Sequence, residues 1–420
     1  MSDSADRELA ARLLVRIDGG AYSSRLLSGA VSPGVRSRVL GVLRWQRALD
    51  AALSSPLRRP LDRLDAEVLA TLRIGLFEIV KLGVPAAVAT DAAVRLVGRL
   101  AKRSASGLVN AVLRRSPAVW AADSVRWPAD LALSHPAWLA TRWRDHFGGQ
   151  AAEAAMAADQ EPAPVWVWWI EDEARREAIA RGVALRPHPW CPGAWSSLEA
   201  PGELIAAVTA GDVYIQDPSS QLVAHVAHRL GGTGTRRADL CAAPGGKLAL
   251  WGGLSDPPVP VGMDRSLKRV RLMERLIAGI GGGHLIAGDA ACPPLAPRSL
   301  DLVLVDAPCT GTGTLRRHPE LRWRLRRESI DELAVVQRSI LAGALELTAP
   351  AGIVLYTTCS IEPEENEALL DPVPAGFGRV DLPDALPDGV PWIPTTAGGV
   401  RILPCHDGDG FTMHAVRRVG

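Results

Sequence analysis

The chain has 420 residues, of which 47% are hydrophobic and 22% charged, the composition of an ordinary globular protein of two or three domains. Its net charge of +1 does not by itself indicate a nucleic-acid partner, because a bulk value conceals local patches. No apolar run approaches the roughly 18 residues of a membrane span. The opening MSDSADRE also lacks the basic start and apolar stretch of a secretory signal. We therefore expect a cytoplasmic protein without a membrane partner.

The cysteines do not form a metal-binding pattern. They lie at positions 191, 241, 292, 309, 359 and 405, so no two of them make a CxxC pair. A zinc site is therefore not expected. In the cytoplasm the thiols should stay reduced, which leaves them available for chemistry.

The pattern of residues 1–125 predicts an all-α bundle. In LDAEVLATLRIGLFEIVKLG apolar residues such as Val68, Leu72, Leu76 and Ile79 recur at helical spacing. On its own, such a bundle is compatible with a purely structural role. However, RIGLFEIVKLGVPAAVATDAAVRL and SGLVNAVLRRS resemble the NusB family of RNA-binding bundles. That resemblance implies a domain whose exposed arginines contact RNA phosphates without reading sequence.

Residues 126–205 differ from the bundle by their tryptophans and by a mixed pattern. Eight of the 13 tryptophans fall between Trp127 and Trp195. PVWVWWI predicts a strand and EDEARREAIARG, at 171–182, predicts a helix after it, so we expect a small αβ module. The tryptophans either stack on nucleic-acid bases or pack the core of this module.

From residue 206 to 420, short apolar strands alternate with helical segments, which is typical of a parallel sheet with helices on both faces. We predict strands that end at Leu240, Met263, Ala287, Val305 and Tyr356. Ligands of such sheets bind at the carboxyl ends of the strands. The functional residues are therefore expected in the loops that follow these ends.

Four of these strand ends carry residues suited to a nucleoside. The first runs into ADLCAAPGGK, where Gly245 and Gly246 let the backbone pass close to a ligand. The next three are followed by Asp264, Asp289 and Asp306. Asp264 is placed to bind ribose hydroxyls, and Asp289 to bind an adenine amino group. One such acid alone would serve as a helix N-cap, but three in succession indicate a ligand site.

A phosphate-rich ligand is disfavoured at this site. No GxxxxGKS or GxxxxGKT motif occurs, because Lys247 is followed by Leu248. Three carboxylates would also repel a triphosphate. A nucleoside with a cationic sulfonium tolerates these acids, so S-adenosylmethionine is the expected cofactor.

Two further motifs place a cysteine at a strand end. DAPCTGTGTLRRHPELRWR carries Cys309, and YTTCSIEPEENE carries Cys359. Carbon 5 of cytosine is a poor nucleophile, but addition of a thiolate to carbon 6 makes it enamine-like and able to take a methyl group. The motifs therefore predict covalent catalysis of cytosine methylation. Their spacing alone leaves open which cysteine attacks.

DLCAAPGGK, DAPCTGTGTLRRHPE and YTTCSIEPEENE resemble the signature motifs of the RsmB (Sun/Fmu) family of 16S ribosomal RNA cytosine-5 methyltransferases. The resemblance extends over nearly the whole chain. It implies a NusB-like helical domain at 1–125, a small αβ linker module at 126–205 and a Rossmann-like α/β methyltransferase domain at 206–420. The chain departs from the family pattern at Leu248, where Thr is frequent, and at Thr412 in DGFT, where DGFF is common.

The resemblance also implies the site residues. The nucleophile of that family is the TCS cysteine, here Cys359, and the APC cysteine, here Cys309, assists product release. Asp306 would in addition hydrogen-bond the cytosine. DNA cytosine methyltransferases use the Pro-Cys thiol, which would favour Cys309 instead; we follow the RNA family. The implied cofactor site consists of Cys241, Ala242, Ala243, Pro244, Gly245, Gly246, Lys247, Asp264, Asp289 and Asp306.

A basic loop after Cys309 is the predicted RNA contact. The alternative for such a loop is a solvated helix face with internal ion pairs, but a position next to the active site favours phosphate binding. A single-stranded or looped cytosine lowers the cost of flipping the base out of its stack. The candidate RNA-binding residues are Arg316, Arg317, His318, Arg322 and Trp323.

RNA, and ribosomal RNA first, is the expected partner, with no metal and a monomeric chain. Two other functions stay open from the sequence. The same chemistry could act on transfer RNA or another substrate, or the chain could be a non-catalytic RNA-binding scaffold with a degenerate methyltransferase fold. The three acids and both cysteines are present, which argues against the scaffold. The sequence does not identify the modified nucleotide.

Overall fold

A computed structural model describes residues 3–29, 31–170, 186–197, 213–231, 236–255, 259–280 and 282–419. The chain forms two compact units, one of Met1–Pro162 with Leu315–Arg324, and one of Ala163–Thr314 with Leu325–Gly420. The helix predicted at 171–182 and the domain boundary predicted at 205 lie outside the described residues.

The first compact unit does not end at residue 125, where the first predicted domain ends, but continues to Pro162. Residues 126–162 carry helices that belong to the first unit. Arg47 of the bundle bonds to them: its side chain pairs with Asp130 at 2.6 Å, and its backbone N–H donates to the Ser134 hydroxyl at 3.0 Å. The helices that the structure describes within 126–205 are therefore in the first unit, and the strands that it describes there are in the second.

The first unit is helical, as predicted. Its helices are α1 (Asp3–Asp18), α2 (Ser23–Leu26), α3 (Pro33–Ser54), α4 (Ala66–Val80), α5 (Ala86–Arg99), α6 (Ser106–Asp123), α7 (Ala129–Ala132), α8 (Ala137–Phe147) and α9 (Gly149–Ala158), with a four-residue helix at Leu321–Arg324. Helix α4 is apolar on nearly all sides, which suits a central helix, and its Leu72 and Leu76 have no exposed surface. Gly41 of α3 permits close packing, because a Cβ there would lie 2.0 Å from the Phe77 ring.

The second unit begins with a small antiparallel sheet. Its strands are β1 (Val165–Trp169), β2 (Arg186–Pro187), β3 (Trp195–Ser197) and β4 (Val213–Ile215), in the order β2-β3-β1-β4. Trp166 and Trp168 are 5% and 3% exposed, and the Trp168 indole donates to Gln216 at 2.7 Å. These two tryptophans pack the core, in agreement with the second of the two predicted roles.

The rest of the second unit is a nine-stranded mixed sheet with helices. Its strands are β5 (Arg237–Asp239), β6 (Val261–Asp264), β7 (Leu285–Ala287), β8 (Leu300–Asp306), β9 (Thr348–Thr358), β10 (Phe377–Arg379), β11 (Ile393–Pro394), β12 (Val400–Ile402) and β13 (Phe411–Arg418). Its longer helices are α10 (Pro218–Gly231), α11 (Gly246–Leu254), α12 (Leu267–Gly279) and α13 (Arg327–Leu347), and a four-residue helix lies at Glu367–Leu370. None of the helices in the described part of the chain combines the length and apolarity needed to cross a membrane.

The strand order is β11-β12-β13-β9-β8-β5-β6-β7, and β10 pairs with β13. Strands β5 to β9 pair in parallel, whereas β13 is antiparallel to β9. Because β5 lies between β6 and β8, the strand order reverses at β5, and the crevice at its carboxyl end is where a doubly wound sheet binds ligands. The five predicted strand ends agree with the observed ends to within two residues.

Candidate active site

A cavity of about 650 Å³ lies beside the loops that follow β5 to β9, and this volume is within the range of small-molecule sites. Of the predicted site residues, its wall contains Cys241, Ala243, Asp264, Asp289, Asp306, Cys309 and Cys359. The sequence did not identify Arg265, Arg269 and the middle of α13, which also line it. The structure thus brings the predicted acids and both cysteines to one cavity.

The turn after β5 requires glycine for reasons of backbone shape and packing. Gly245 has a φ of +109°, which side chains disfavour. A Cβ on Gly246 would lie 2.5 Å from the Tyr214 ring. The neighbour that Gly246 accommodates is therefore Tyr214, whereas the sequence predicted close approach of a ligand.

Asp264 and Asp289 occupy adjacent strand ends and already bond to the protein. Asp264 accepts the Ser266 N–H at 2.9 Å, and its other oxygen pairs with Arg269 at 3.0 Å. Asp289 accepts the Ala291 N–H at 2.9 Å. The Arg269 side chain is 54% exposed and also donates to the Ala243 carbonyl at 2.7 Å.

Asp306 is held by a lysine from the glycine turn. The Nζ of Lys247 lies 2.7 Å from a carboxylate oxygen of Asp306, and the Thr357 hydroxyl donates to the other oxygen at 3.4 Å. Burial acts to lower the pKa of Lys247, but attraction to and hydrogen bonding with Asp306 outweigh it and raise that pKa. Lys247 therefore stays an ammonium ion and fixes Asp306 in the cavity wall.

Asp239 is a buried acid that the sequence motifs did not single out. It ends β5 and has no exposed surface. Its Oδ1 accepts the Cys241 N–H at 3.0 Å, while its Oδ2 has no hydrogen-bond partner among the described residues. Burial, followed by the negative charge of Asp306, raises the pKa of Asp239 to about 7. In the sequence, the signal for Asp239 is an acid directly at the end of a strand, at the start of DLCAAPGGK.

This raised pKa predicts a pH-dependent stability. Because the folded pKa of about 7 lies above the ordinary 3.8, the native state binds the proton more tightly, and stability present below pH 4 is lost as pH rises through 7. The loss is at most about 4 kcal/mol. Asn does not ionise, so the free energy of unfolding of Asp239→Asn, relative to wild type, should rise between pH 5 and pH 8. Urea unfolding at each pH measures it.

Asp301→Asn is the matched control. Hydrogen bonding to Arg236 lowers the pKa of Asp301, so its contribution to stability is lost only as pH falls below the ordinary carboxyl range. The difference between Asp301→Asn and wild type should stay constant from pH 5 to pH 8. A constant difference for Asp239→Asn as well would show that the Asp239 pKa is not raised.

The two thiols of the predicted catalytic pair are in contact. The Sγ atoms of Cys309 and Cys359 are 3.2 Å apart. The hydrogen bond with Cys359 and then burial raise the pKa of Cys309 well above its ordinary value. Cys309 thus remains a thiol at neutral pH, with its sulfur at hydrogen-bonding distance from that of Cys359.

The two departures from the family pattern are both buried. Leu248 has no exposed surface and belongs to the core. Thr412 is equally buried, and its hydroxyl donates to the Ser360 carbonyl at 2.9 Å. Thr412 therefore supports the turn that carries Cys359, and neither residue is part of the cavity wall.

The predicted RNA-binding residues lie in Leu315–Arg324, which belongs to the first unit. Arg316 and Arg322 are 2% and 0% exposed. Arg316 donates to the carbonyls of Glu161 and Pro162. Arg322 donates to the carbonyls of Arg44, Ser134, Asp159 and Leu315. These two guanidinium groups are used inside the protein, which corrects the expectation that they hold RNA phosphates.

The other three predicted RNA-binding residues, Arg317, His318 and Trp323, are half-buried. The Trp323 indole donates to the Leu43 carbonyl at 2.8 Å. Burial lowers the pKa of His318, so its imidazole is neutral at pH 7. RNA contact by Arg317, His318 and Trp323 stays a prediction.

Two families match separate parts of the chain. The family described as 16S rRNA methyltransferase RsmB/F matches residues 233–415, and the NusB family matches residues 4–117. The first match spans the cavity and all but the last three residues of the nine-stranded sheet, and the second spans the helices from α1 to most of α6.

Curated relatives match over most of the chain. Ribosomal RNA small subunit methyltransferase B of Thermus thermophilus is 33% identical over 436 residues, which cover 100% of this chain and 99% of the relative. The protein of the same name from Xanthomonas campestris is 33% identical over 392 residues, 87% of each chain. A putative methyltransferase of Mycobacterium tuberculosis is 32% identical over 384 residues, 81% of each chain.

Solved structures share the fold. That of PH0851 has a TM-score of 0.77 at 20% identity and covers 100% of this chain and 99% of its own. That of NSun6 from Pyrococcus horikoshii with SFG has a TM-score of 0.58 at 19% identity and covers 68% of this chain and 98% of its own. At these identities the likeness concerns the fold alone.

Proposed function

Because the chain belongs to the RsmB/F family and is thus an RNA methyltransferase, we propose that it methylates carbon 5 of a cytosine in 16S ribosomal RNA. The observation that carries this proposal is the 3.2 Å contact between the sulfurs of Cys309 and Cys359, in a wall that also holds the three predicted acids. Methyl transfer to nitrogen or oxygen needs no thiol nucleophile, whereas transfer to carbon 5 of cytosine does.

The cavity fits S-adenosylmethionine. Its volume is in the small-molecule range, and its three carboxylates suit hydroxyl groups, an amino group and a positive charge. Asp264 would hold the ribose once Arg269 leaves it, and Asp289 would hold the adenine amino group. When bound, the cofactor supplies an electrophilic methyl group on its sulfonium.

Cys359 is the proposed nucleophile. Its sulfur lies in the cavity wall, 3.2 Å from the sulfur of Cys309, and Lys247, which stays an ammonium ion, interacts with it electrostatically. The thiolate adds to carbon 6 of the cytosine, and carbon 5 then takes the methyl group. Solvent water takes the carbon 5 proton, the freed electron pair re-forms the double bond between carbons 5 and 6, and the bond between carbon 6 and sulfur breaks to return the Cys359 thiolate. Cys309 assists this release. Asp306 would accept a hydrogen bond from the cytosine amino group.

RNA contact is proposed for exposed arginines of the helical unit. Arg58, Arg59, Arg63 and Arg115 are exposed and line a cavity of about 520 Å³. Four guanidinium groups on one cavity suit a phosphate backbone. Arg317, His318 and Trp323 are the other proposed contacts.

We further propose that the protein acts as a monomer, without metal, in the cytoplasm. One chain supplies both thiols and all three acids of the cavity, so the site does not need a second copy. A ribosomal RNA substrate places the reaction in the cytoplasm.

Methyl incorporation tests the proposed function. Purified protein with labelled S-adenosylmethionine should transfer label to 16S ribosomal RNA and not to transfer RNA or DNA supplied in parallel. Bisulfite mapping should then find one protected cytosine, which becomes unprotected in RNA from cells that lack the gene. Label in transfer RNA alone would contradict the proposed substrate but keep the chemistry. Failure to bind S-adenosylmethionine in a titration would overturn the proposal in favour of a scaffold.

A further inference from the structure

One buried carboxylate joins the two cysteine loops. Glu365 follows Cys359 in the chain and has no exposed surface. Its Oε1 accepts the backbone N–H of Thr310 at 2.8 Å, and its Oε2 accepts the hydroxyls of Thr310 and Ser360. Thr310 is the residue after Cys309, and Ser360 is the residue after Cys359. A single side chain thus bonds to the residues directly next to both thiols.

A helix is tied to the same carboxylate. Gln337 of α13 is fully buried, and its Nε2 donates to Glu365 Oε1 at 2.9 Å and to the Pro308 carbonyl at 2.8 Å. The carboxylate therefore receives donors from both loops and from α13. An amide N–H only donates, so the oxygen that receives Gln337 and the Thr310 N–H has to be an acceptor.

Strand pairing alone does not fix the distance between the sulfurs. Strands β8 and β9 remain in register up to Asp306 and Thr357, and both cysteines lie beyond this last pair. Past it, the Ala307 N–H donates to the Thr357 carbonyl at 2.9 Å. The loops are also joined directly: the Gly313 N–H donates to the Cys359 carbonyl at 3.0 Å, and the Thr310 and Ser360 hydroxyl oxygens are 3.3 Å apart. The bonds of Glu365 add to these beside both cysteines, so they are placed to set the separation of the thiols.

We propose that Glu365 is a positioning residue that holds the Cys309 and Cys359 sulfurs in contact. Glu365 is not part of the cavity wall, so it acts through the two loops and not on the substrate. The catalytic consequence of this contact rests on the proposed function, whereas the contact itself does not.

Three variants separate the hydrogen bonds from the charge. Glu365→Ala removes the carboxylate. Thr310→Val combined with Ser360→Ala removes only two hydroxyls and is the milder change if Glu365→Ala folds poorly. Glu365→Gln keeps the shape: its amide oxygen accepts the two N–H donors, and its amide nitrogen donates to the two hydroxyls, which rotate to accept.

Disulfide formation reports the contact without any substrate. The folded variants are oxidised with diamide, which takes up two hydrogen atoms as the two thiols become a disulfide, and the Cys309–Cys359 link is followed by peptide mass mapping. The rate should fall at least about 10-fold in Glu365→Ala and in the double variant, because loosened loops hold the sulfurs in contact for less time. Glu365→Gln should retain the wild-type rate.

Catalysis gives the second readout. In Glu365→Ala, kcat should fall about 100-fold with KM for RNA nearly unchanged, since displacement of reacting groups by about 1 Å has that effect. Glu365→Gln should restore most of kcat. Thr348→Val is the matched control: it removes a buried hydroxyl at the other end of β9 and should change neither the oxidation rate nor kcat.

Equal oxidation rates in all variants would overturn the proposal. So would a slow rate in Glu365→Gln, because the charge and not the hydrogen bonds would then be responsible, and so would a raised KM with unchanged kcat. If wild-type protein does not methylate RNA, the proposed function fails, but the oxidation series still tests the role of Glu365. Urea midpoints of all variants show that folded proteins are compared.

Discussion

Cys359→Ala should abolish methyl transfer and form no covalent complex with RNA, because no sulfur then attacks carbon 6. Cys309→Ala should still allow attack and methylation. Its product should stay attached to Cys359, because release lacks the thiol that lies 3.2 Å from the attached sulfur. A denaturing gel after incubation with RNA and S-adenosylmethionine should therefore show a shifted protein band for Cys309→Ala and none for Cys359→Ala.

Cys292→Ala is the matched control for both variants. Cys292 is exposed and lies outside the two motifs, so its removal should leave activity unchanged and trap no RNA. A band trapped by Cys359→Ala in place of Cys309→Ala would reverse the two roles. Trapping by neither variant would remove the support for Cys309 in release, and full activity in Cys359→Ala would contradict the nucleophile assignment.

The fold and the placing of the site follow from local patterns. Helical periodicity in residues such as Leu72 and Leu76 identifies the bundle, and short apolar runs identify the strands. Parallel strands end at one edge of a sheet, so Asp264, Asp306 and Cys359 could be assigned to one crevice without knowledge of any long-range contact. The structure brings them to one cavity.

The roles of Asp239 and Glu365 could not be predicted in the same way. The position of Asp239 at a strand end is visible in DLCAAPGGK, but its raised pKa depends on burial and on the charge of Asp306, a residue of another strand. Glu365 is one of several acids in EPEENE. What distinguishes it from the other acids is its bond with Thr310, which is 55 residues away in the chain. Both roles arise from packing between strands that a local pattern does not contain.

The arginines after Cys309 show the opposite error. They cluster in the sequence next to a catalytic motif, and this cluster predicted that they bind RNA phosphates. Arg322 instead donates to carbonyls of residues 163 to 278 positions away in sequence. Local charge does not reveal whether a guanidinium group meets water or protein, because that depends on which distant backbone carbonyls lack donors.

Arg322→Met should strongly destabilise the helical unit. The guanidinium group is fully buried and donates to four carbonyls at 3.2 to 3.3 Å, which the methionine would leave without these donors. Burial lowers the pKa of Arg322 to about 10, so the group is still charged at pH 7. The cost of removing this charge from water offsets part of the stabilisation that its four hydrogen bonds contribute. We expect the free energy of unfolding to fall by about 3–5 kcal/mol, as for other buried polar networks, measured by urea unfolding with tryptophan fluorescence.

Arg326→Met is the matched control and should change stability by no more than about 0.5 kcal/mol, as for an exposed ion pair. Its side chain is 63% exposed and pairs with Glu332 at 3.3 Å.

RNA binding at several salt concentrations separates a structural role of Arg322 from a role in RNA contact. If Arg322→Met kept the wild-type urea midpoint and flattened the slope of log affinity against log salt, Arg322 would be a phosphate contact. This result would contradict the buried hydrogen bonds, because the loss of a side chain that holds the helical unit together has to lower the urea midpoint.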